Sequence, residues 1–344
     1  MRIFVTGGTG FVGSHAVAEL VRSGHDVRLL VRSPDRIAPA LTPLGIGEQE
    51  YAIGDVTDAA SVEQGMEGCD AVLHAASIYS LDVRAAKQLQ NVNVGGTETV
   101  LGAAEKLQLD PIVYVSSLVA LFPPEGEVLN DQSPVKDPPG AYYKSKAEAE
   151  QVARRYQERG VPVVSAYPSG AFGPQDPHFG ESAQTVANIL KRRMPMVPKG
   201  GLSIVDVRDV AKALAAMFEP GRGPRRYILS GTSMPFASII GTLSEVTGRR
   251  VPHVSLPASA LRPVVRSAGF FQRFLPFRLP LNNEGFDTIT WDPHGDDSRA
   301  RAELGFAPRP PRETFADTVE WMHDEGKISA KQAGKLSRSE GQAS

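Results

Sequence analysis

The stretch VTGGTGFVGSHAVAELV, residues 5–21, joins a β-branched run to an amphipathic helical pattern through three spaced glycines. At the spacing of Gly7, Gly10 and Gly13, a tight turn, close approach to a pyrophosphate and close helix packing each exclude a β-carbon. Phosphates would lie at the helix N-terminus, where free backbone N–H groups and the helix dipole attract anions. The motif predicts dinucleotide binding, with contacts from Gly7, Thr9, Gly10, Phe11, Val12 and Gly13. The alternative is a glycine-rich turn without a ligand.

Outward from this turn, short strand-like runs alternate with helical patterns as far as Pro168. This alternation predicts an α/β architecture, a Rossmann-type doubly wound parallel sheet covered by helices on both faces. After Pro168 the rhythm breaks into loops rich in glycine and proline. The run RRYILSG, residues 225–231, is expected to return to the sheet as its last strand.

These patterns divide the chain into two parts and a tail. Residues 1–168 and about 203–232 are predicted to form the cofactor-binding domain. Residues about 169–202 and 233–326 are predicted to form a smaller, mainly helical C-terminal lobe that binds the substrate. Residues 327–344 are small, polar and aperiodic, and a disordered tail is expected there.

Composition excludes several classes of protein. A formal net charge of -2 and a pI near 6.4 give no electrostatic footprint for nucleic acid. Cys69 is the single cysteine, so no internal disulfide can form, which fits a reducing, cytoplasmic compartment. The sequence shows neither a leader pattern at its start nor an uncharged run of about 18 apolar residues, so no membrane-spanning helix is expected. The seven histidines form no pair with metal-ligand spacing, so no metal site is expected.

The end of the predicted second strand bears on the choice of cofactor. An enzyme that uses NAD usually places an acidic residue there for the ribose hydroxyls, but this chain has Arg32. A guanidinium can pair with a 2′-phosphate, and Ser33 and Arg36 could add donors, so NADP is favoured. NAD remains the alternative, with Asp35 taking the ribose contact. Asp55, Val56, Ala75 and Ala76 lie at later strand ends, where open α/β sheets bind ligands.

The stretch GAYYKSKAEAE, residues 140–150, contains a candidate acid/base pair. Side chains four apart share a helix face, which pairs Tyr142 with Lys146, while Tyr143 and Lys146, three apart, are the alternative. A phenol has a pKa of about 10, so a nearby ammonium is needed to lower it. Lys146 could also hydrogen-bond the nicotinamide ribose. At the end of the fifth strand, Ser116 and Ser117 could hold a substrate oxygen or simply cap a helix.

The sequence at this point resembles the extended short-chain dehydrogenase/reductases, which include NAD-dependent epimerase/dehydratases, dihydroflavonol reductases and 3β-type hydroxysteroid dehydrogenases. The motifs that carry the resemblance, over about residues 1–325, are TGGTGFVG, GDVTD, HAAS, NVNVGGT, VYVSS, YYKSKAEAE, PSGAFGP, DVRDVA and SRARAELGFAPRP. The resemblance implies Tyr142, Lys146 and Ser117 as catalytic residues, and Pro168 at the start of a loop under the nicotinamide. It also makes a monomer or a homodimer the expected assembly.

Two departures narrow the expected function. Nucleotide-sugar epimerases of this family usually carry an arginine before the DVRDVA-like motif, and here PKGGLSIV has none; Tyr167 also stands where the family often has arginine. The apolar stretch at residues 256–281 favours an apolar substrate. Its arginines, Arg262, Arg266, Arg273 and Arg278, would also suit peripheral contact with a membrane, or simply face water while the segment packs on itself.

The sequence therefore predicts an NAD(P)-dependent oxidoreductase that interconverts a carbonyl and an alcohol on a mostly apolar small molecule. The first alternative is an NAD-dependent nucleotide-sugar epimerase or dehydratase. The second is a dinucleotide-sensing protein without catalysis, which the presence of both Tyr142 and Lys146 disfavours.

Overall fold

The computed structural model describes residues 1–80, 83–121, 127–272, 283–291 and 293–337. The strands in these residues are β1 (Arg2–Thr6), β2 (Asp26–Val31), β3 (Glu50–Ile53), β4 (Ala71–His74), β5 (Ile112–Val115), β6 (Val128–Leu129), β7 (Val163–Pro168), β8 (Gly170–Phe172), β9 (Met196–Pro198), β10 (Gly201–Asp206), β11 (Arg225–Leu229), β12 (Thr232–Pro235), β13 (Val254–Leu256) and β14 (His294–Gly295). The α-helices are α1 (Phe11–Arg22), α2 (Ile37–Leu41), α3 (Ala59–Met66), α4 (Ala86–Leu89), α5 (Gly96–Lys106), α6 (Ala141–Glu158), α7 (Glu181–Leu190), α8 (Val207–Ala215), α9 (Phe236–Thr247), α10 (Ala258–Gln272), α11 (Asn283–Trp291), α12 (Ser298–Leu304), α13 (Pro311–Asp324) and α14 (Ala330–Ala333).

Seven strands form one sheet in the order β11-β7-β5-β4-β1-β2-β3, and each neighbouring pair is parallel. The strand order reverses between β1 and β4, so the connections lead away in opposite directions there. Such a reversal opens a crevice at the carboxyl ends of the strands, where this class of sheet binds ligands. The predicted Rossmann-type doubly wound sheet, including the return of RRYILSG as β11, is confirmed.

Alternating side chains of the central strands pack into two separate cores. Ile3 and Val5 of β1 contribute to the core shared with α1 and α8, whereas Phe4 contributes to the core shared with α3, α5 and α6. Because side chains alternate across a strand, a strand buried on both faces must be apolar at almost every position. The sequences RIFVT and IVYV of β1 and β5 have this character.

The remaining elements build a second, mainly helical layer with its own core. β8, β10 and β12 form a three-stranded sheet, and α7, α9 and α13 pack around Phe172, Phe236 and Phe315. β10, which overlaps the start of the range of about 203–232 expected in the cofactor-binding domain, pairs with β8 and β12 and not with the large sheet. α8, which follows it, packs against α1.

Residues 327–337 are ordered, so the disordered tail predicted from residue 327 is wrong for this part of the chain. α14 begins with a reciprocal cap, in which the Ser329 side chain accepts from the Gln332 backbone and Gln332 accepts from the Ser329 backbone. Ile328 and Ala333 are buried in the core of the second layer. Two isolated apolar residues carry no periodic signal, which is why the sequence did not predict this packing. Residues 338–344 lie outside the described residues.

The apolar segment at residues 256–281 is only partly described. α10 begins at Ala258, and its Arg262 pairs with Asp287 of α11 at 3.1 Å (Nη1 to Oδ1), which joins the two helices. Arg273 and Arg278 lie outside the described residues, as does the side chain of Arg266. Among the described helices, none combines the length and the apolar character needed to cross a membrane.

Candidate active site

The glycine-rich turn between β1 and α1 is pressed against the end of β4. Gly7 has a φ of +74°, and a β-carbon on it would lie 2.5 Å from backbone atoms of Ala75 and Ala76. A β-carbon on Gly13 would lie 2.0 Å from the Gly7 oxygen. α1 follows Gly10 without a side-chain cap, so its first N–H groups remain available to an anion. The glycines therefore allow the turn to pack closely on β4 and on the start of α1, and the uncapped N–H groups of α1 fit the pyrophosphate of a dinucleotide.

A buried chain of hydrogen bonds, which the sequence did not predict, fixes the end of β4 beside this turn. Thr6 Oγ1 lies 2.7 Å from His74 Nδ1, and His74 Nε2 lies 3.1 Å from Thr97 Oγ1. The Ala76 N–H donates to Thr6 Oγ1 at 3.3 Å. Burial, together with the smaller effect of the nearby Lys146 charge, lowers the pKa of His74 to about 3, so the imidazole is neutral. His74 thus holds Ala75 and Ala76 in place without adding charge.

The ends of β2 and β3 bring Arg32 and Asp55 together. Arg32 Nη1 lies 3.9 Å from Asp55 Oδ2, and the Arg32 side chain is 68% exposed. Asp55 also accepts hydrogen bonds from the backbone and hydroxyl of Thr57 at 2.9 and 2.8 Å. Val56 is buried and contacts Gly96. Asp35, the other candidate for a ribose contact, is hydrogen-bonded by the Ser33 hydroxyl.

Tyr142 and Lys146 are buried side chains of the first turns of α6, 7% and 5% exposed. Burial lowers the pKa of Lys146 to about 8, and the negative charge of Glu150 opposes that shift. The ring of Tyr79 packs against Tyr142 with 4.5 Å between centroids. Tyr143 has different surroundings, because its hydroxyl hydrogen-bonds Thr288 of α11. The rings of the two tyrosines lie 5.7 Å apart in one apolar cluster, and the hydroxyl of Tyr143 is held by α11.

Asn93, in a π-helical segment at Gln90–Gly95, anchors the start of α6 to the chain after β4. Its Oδ1 accepts from the Ile78 N–H at 2.8 Å, and its Nδ2 donates to Ser145 Oγ at 3.0 Å. Ser145 in turn donates to the Tyr142 carbonyl at 2.7 Å. The motif NVNVGGT contains this asparagine, but spacing alone could not show that it bridges two distant segments.

Ser117 follows β5 in extended conformation and precedes a short 3-10 turn at Leu118–Ala120. Its side chain does not cap that turn, so the capping explanation of this serine is not supported. Val119, two residues later, packs against the cluster that contains Tyr142. The short turn that follows Ser117 therefore packs beside α6.

Pro168 ends β7, and the loop after it is tied to α1. His15 Nε2 lies 3.1 Å from the Pro174 carbonyl, and burial lowers the pKa of His15 to about 4. The buried and neutral histidine thus connects the helix of the glycine-rich turn to the loop PSGAFGP. Within the described residues, no three His, Cys, Asp or Glu side chains are grouped so as to hold a metal ion.

Comparison with known proteins agrees with this geometry. The model of the NAD dependent epimerase/dehydratase family matches residues 3–230. A protein of Synechocystis sp. provisionally named dihydroflavonol 4-reductase is 32% identical over 95% of this chain and 96% of its own length. A Stigmatella aurantiaca protein named as a 4-hydroxy-2-methyl-3-oxo-4-farnesyl-3,4-dihydroquinoline-1-oxide ketoreductase is 30% identical over 97% of each chain.

Among solved structures, that of gox2253 superimposes with a TM-score of 0.79 at 30% identity, over 95% of this chain and 99% of the other. The predicted resemblance to extended short-chain dehydrogenase/reductases is confirmed. The chain belongs to the NAD dependent epimerase/dehydratase family.

Proposed function

We propose that this protein is an NADP(H)-dependent oxidoreductase that interconverts a ketone or aldehyde and the corresponding alcohol on a mostly apolar small molecule. The observation that carries the proposal is the burial of Tyr142 and Lys146 together on one face of α6, beside the sheet edge where the glycine-rich turn meets β4. The reductase and ketoreductase names of the relatives support the oxidoreductase class.

In this proposal the bound dinucleotide supplies or accepts the hydride. Tyr142 donates the proton to the substrate oxygen during reduction and takes it back during oxidation. Lys146, as an ammonium, favours the phenolate and so brings the pKa of the phenol towards the working pH. Ser117 donates a hydrogen bond to the same substrate oxygen and holds it near Tyr142.

The preference for NADP rests on Arg32. Its side chain is largely exposed at the end of β2, and its approach to Asp55 is long enough for a 2′-phosphate to compete for the guanidinium. Ser33 and Arg36 follow it directly and could add donors. The family description names NAD, so NAD is the alternative cofactor.

The apolar substrate is supported by the side chains around Tyr142. Tyr79 is 49% exposed and packs on Tyr142, while Val119, Tyr143 and Trp291 extend the same apolar cluster. Aromatic and aliphatic walls with few polar groups are typical of sites for apolar ligands.

An epimerase or dehydratase that oxidises and re-reduces one sugar is the second candidate, because the family model covers such enzymes. The strand before DVRDVA disfavours it, since GLSIVD of β10 offers no arginine for the phosphates of a nucleotide sugar. Turnover without net change in nicotinamide, by protein purified with NAD bound, would support this candidate instead.

Tyr142→Phe tests the proposal. With NADPH and a panel of apolar ketones and aldehydes, we expect kcat to fall by about 10²- to 10⁴-fold, because the proton donor is lost. The dissociation constant of NADPH should change little, and Tyr51→Phe, on the exposed edge strand β3, is the matched control. Nearly full activity of Tyr142→Phe, or selective loss in Tyr143→Phe, would overturn the assignment of Tyr142.

A further inference from the structure

Glu150 is a fully buried carboxylate on α6, one helical turn beyond Lys146. Its Oε1 accepts hydrogen bonds from the Tyr167 hydroxyl at 2.7 Å and from Arg154 Nε at 3.2 Å. Among the described residues, Glu150 Oε2 and Ser116 Oγ are both buried without a hydrogen-bond partner. A buried carboxylate oxygen without a donor is costly, so its retention requires an explanation beyond packing.

Several titratable groups face Lys146 and Glu150 from the surrounding elements. They are His74 of β4, Tyr114 of β5, Tyr167 of β7, and Tyr142 and Arg154 of α6 itself. Burial lowers the pKa of His74 to about 3 and raises the pKa values of Tyr114 and Tyr167, so these three are neutral near neutral pH. From α5, Glu98 is half-exposed and pairs with Arg155 on the outside.

Glu150 is therefore the group of this set that can place a negative charge beside Lys146. Burial raises the pKa of Glu150, while the hydrogen bond from Tyr167 and the charge of Arg154 oppose the shift and favour the carboxylate. Arg154 is itself held by the Ser133 carbonyl at 2.8 Å. Glu150 forms its ion pair with Arg154, at 3.2 Å between Oε1 and Nε. Lys146 lies four residues before Glu150 on the same helix, and in this buried, poorly screened site the negative charge of Glu150 raises the pKa of Lys146 against the effect of burial.

We propose that Glu150 is a positioning residue, whose buried carboxylate is the counter-ion that keeps Lys146 in its ammonium form so that Tyr142 can transfer a proton near neutral pH. This inference rests on the proposed function of Tyr142 and Lys146. Tyr167 and Arg154 serve it indirectly, because they hold the carboxylate ionised. Tyr167 stands where the family often has arginine, and in this proposal its hydroxyl stabilises the carboxylate of Glu150.

Glu150→Gln tests the proposal. The amide oxygen can still accept from Tyr167 and Arg154, and its NH₂ group would replace the oxygen that accepts no hydrogen bond, so the fold should persist. Loss of the negative charge should lower the Lys146 pKa by about 1 to 3 units. In carbonyl reduction, the alkaline fall of kcat/KM should move to lower pH by at least about one unit. Since the pKa of Lys146 in the parent is about 8, this lowers kcat/KM by about fivefold at pH 8 and by about tenfold well above it.

Two further variants separate charge from packing. Glu150→Asp keeps the charge and should restore the alkaline fall towards that of the parent. Glu158→Gln makes the same substitution at the exposed end of α6 and should leave the pH profile unchanged. A Glu150→Gln profile with the parent midpoint, whether activity is uniformly reduced or not, would show that Glu150 is only structural.

A readout independent of catalysis is the titration of Lys146 itself, followed by NMR of protein labelled with ¹³C at lysine Cε and assigned with Lys146→Arg. The midpoint should fall in Glu150→Gln. A lowered midpoint together with full activity of Tyr142→Phe would refute the proposed function alone, whereas an unchanged midpoint would refute this inference alone. If Glu150→Gln does not fold, Tyr167→Phe replaces it, because losing its hydrogen bond makes Glu150 easier to protonate; an unchanged Lys146 midpoint there would also refute the inference.

Discussion

Tyr142 and Tyr143 are adjacent in the chain and lie four and three residues before Lys146 on α6, so their surroundings and not helix spacing alone distinguish them. Tyr143 is engaged with Thr288 of α11, and its ring lies 5.9 Å from that of Trp291. Arg32 is exposed and lies 3.9 Å from Asp55, and under the proposed function this side chain sets the preference for NADP. Under the proposed function, a few individual side chains thus set both the proton transfer and the cofactor preference at this edge of the sheet.

Replacing Arg32 by aspartate should exchange the cofactor preference. The variant loses the guanidinium that would pair with the 2′-phosphate and places a second carboxylate beside Asp55. We expect NADPH binding to weaken by about 10- to 100-fold, while NADH binding holds or improves. Titration of the purified protein with each cofactor, followed by nicotinamide fluorescence, measures both constants. Tighter binding of NADH than of NADPH by the parent protein would contradict the NADP assignment.

Secondary-structure elements act here by carrying polar side chains into the core at fixed positions. β4 places His74 between Thr6 of β1 and Thr97 of α5, and α1 places His15 against the Pro174 carbonyl. Both imidazoles are buried and neutral, since burial lowers their pKa values to about 3 and about 4. His74 thus connects β1 to α5, and His15 connects α1 to the segment that follows β7.

These histidines predict loss of stability in acid. In the folded protein the pKa values of His74 and His15 lie below the ordinary histidine value of 6.5. Below about pH 6.5 these histidines are therefore protonated in the unfolded chain while they stay neutral in the folded protein, and this difference favours unfolding. The contribution is fully present above about pH 7 and declines as pH falls towards 4. For His74 alone, the loss between pH 7 and pH 5 should be about 2 kcal/mol.

Urea unfolding at several pH values tests this prediction. His74→Gln should show a loss between pH 7 and pH 5 that is smaller than that of the parent by about 2 kcal/mol. His178→Gln replaces an exposed histidine and should follow the parent. A parallel pH dependence of His74→Gln and the parent would show that His74 does not titrate on unfolding in this range.

The molecule as a whole is joined by ion pairs between two motifs that are about 100 residues apart in the chain. Arg309 lies just before α13, and its Nε and Nη2 donate to the carboxylate of Asp209 of α8 at 3.1 and 2.9 Å. The backbone N–H of Arg309 donates to the same carboxylate at 2.8 Å. Arg208 connects buried Asp206 with Asp317 of α13. These ion pairs thus connect α13 to α8, which packs on α1, the helix that follows the glycine-rich turn.

Arg309→Gln should destabilise the protein markedly, because it leaves the buried carboxylate of Asp209 without its partner. We expect the free energy of unfolding, measured in urea, to fall by about 3 to 5 kcal/mol. Arg312→Gln is the matched control, since its contact with Glu245 joins two side chains that are each 67% exposed. That variant should change the free energy by less than about 1 kcal/mol. Equal effects of the two substitutions would contradict the role given to the buried pair.

The sequence by itself determined the features that depend on local spacing. Strand and helix periodicity predicted the doubly wound sheet, the glycine spacing predicted the turn that β4 now closes, and four-residue spacing placed Tyr142 and Lys146 on one face. The family and the oxidoreductase class predicted from these motifs agree with the relatives. Each of these signals is carried by residues close together in the chain, where geometry follows from backbone repeat alone.

Only the tertiary structure decided which polar side chains are buried together. Glu150 meets Tyr167, His74 meets Thr6, and Arg309 meets Asp209 across 17, 68 and 100 residues of chain. Hydrophobic periodicity shows which face of an element is buried, but it does not show which polar groups on that face find each other. Which polar groups pair depends on how the elements pack against one another. This packing places His74 and His15 around the glycine-rich turn and the carboxylate of Glu150 beside Lys146.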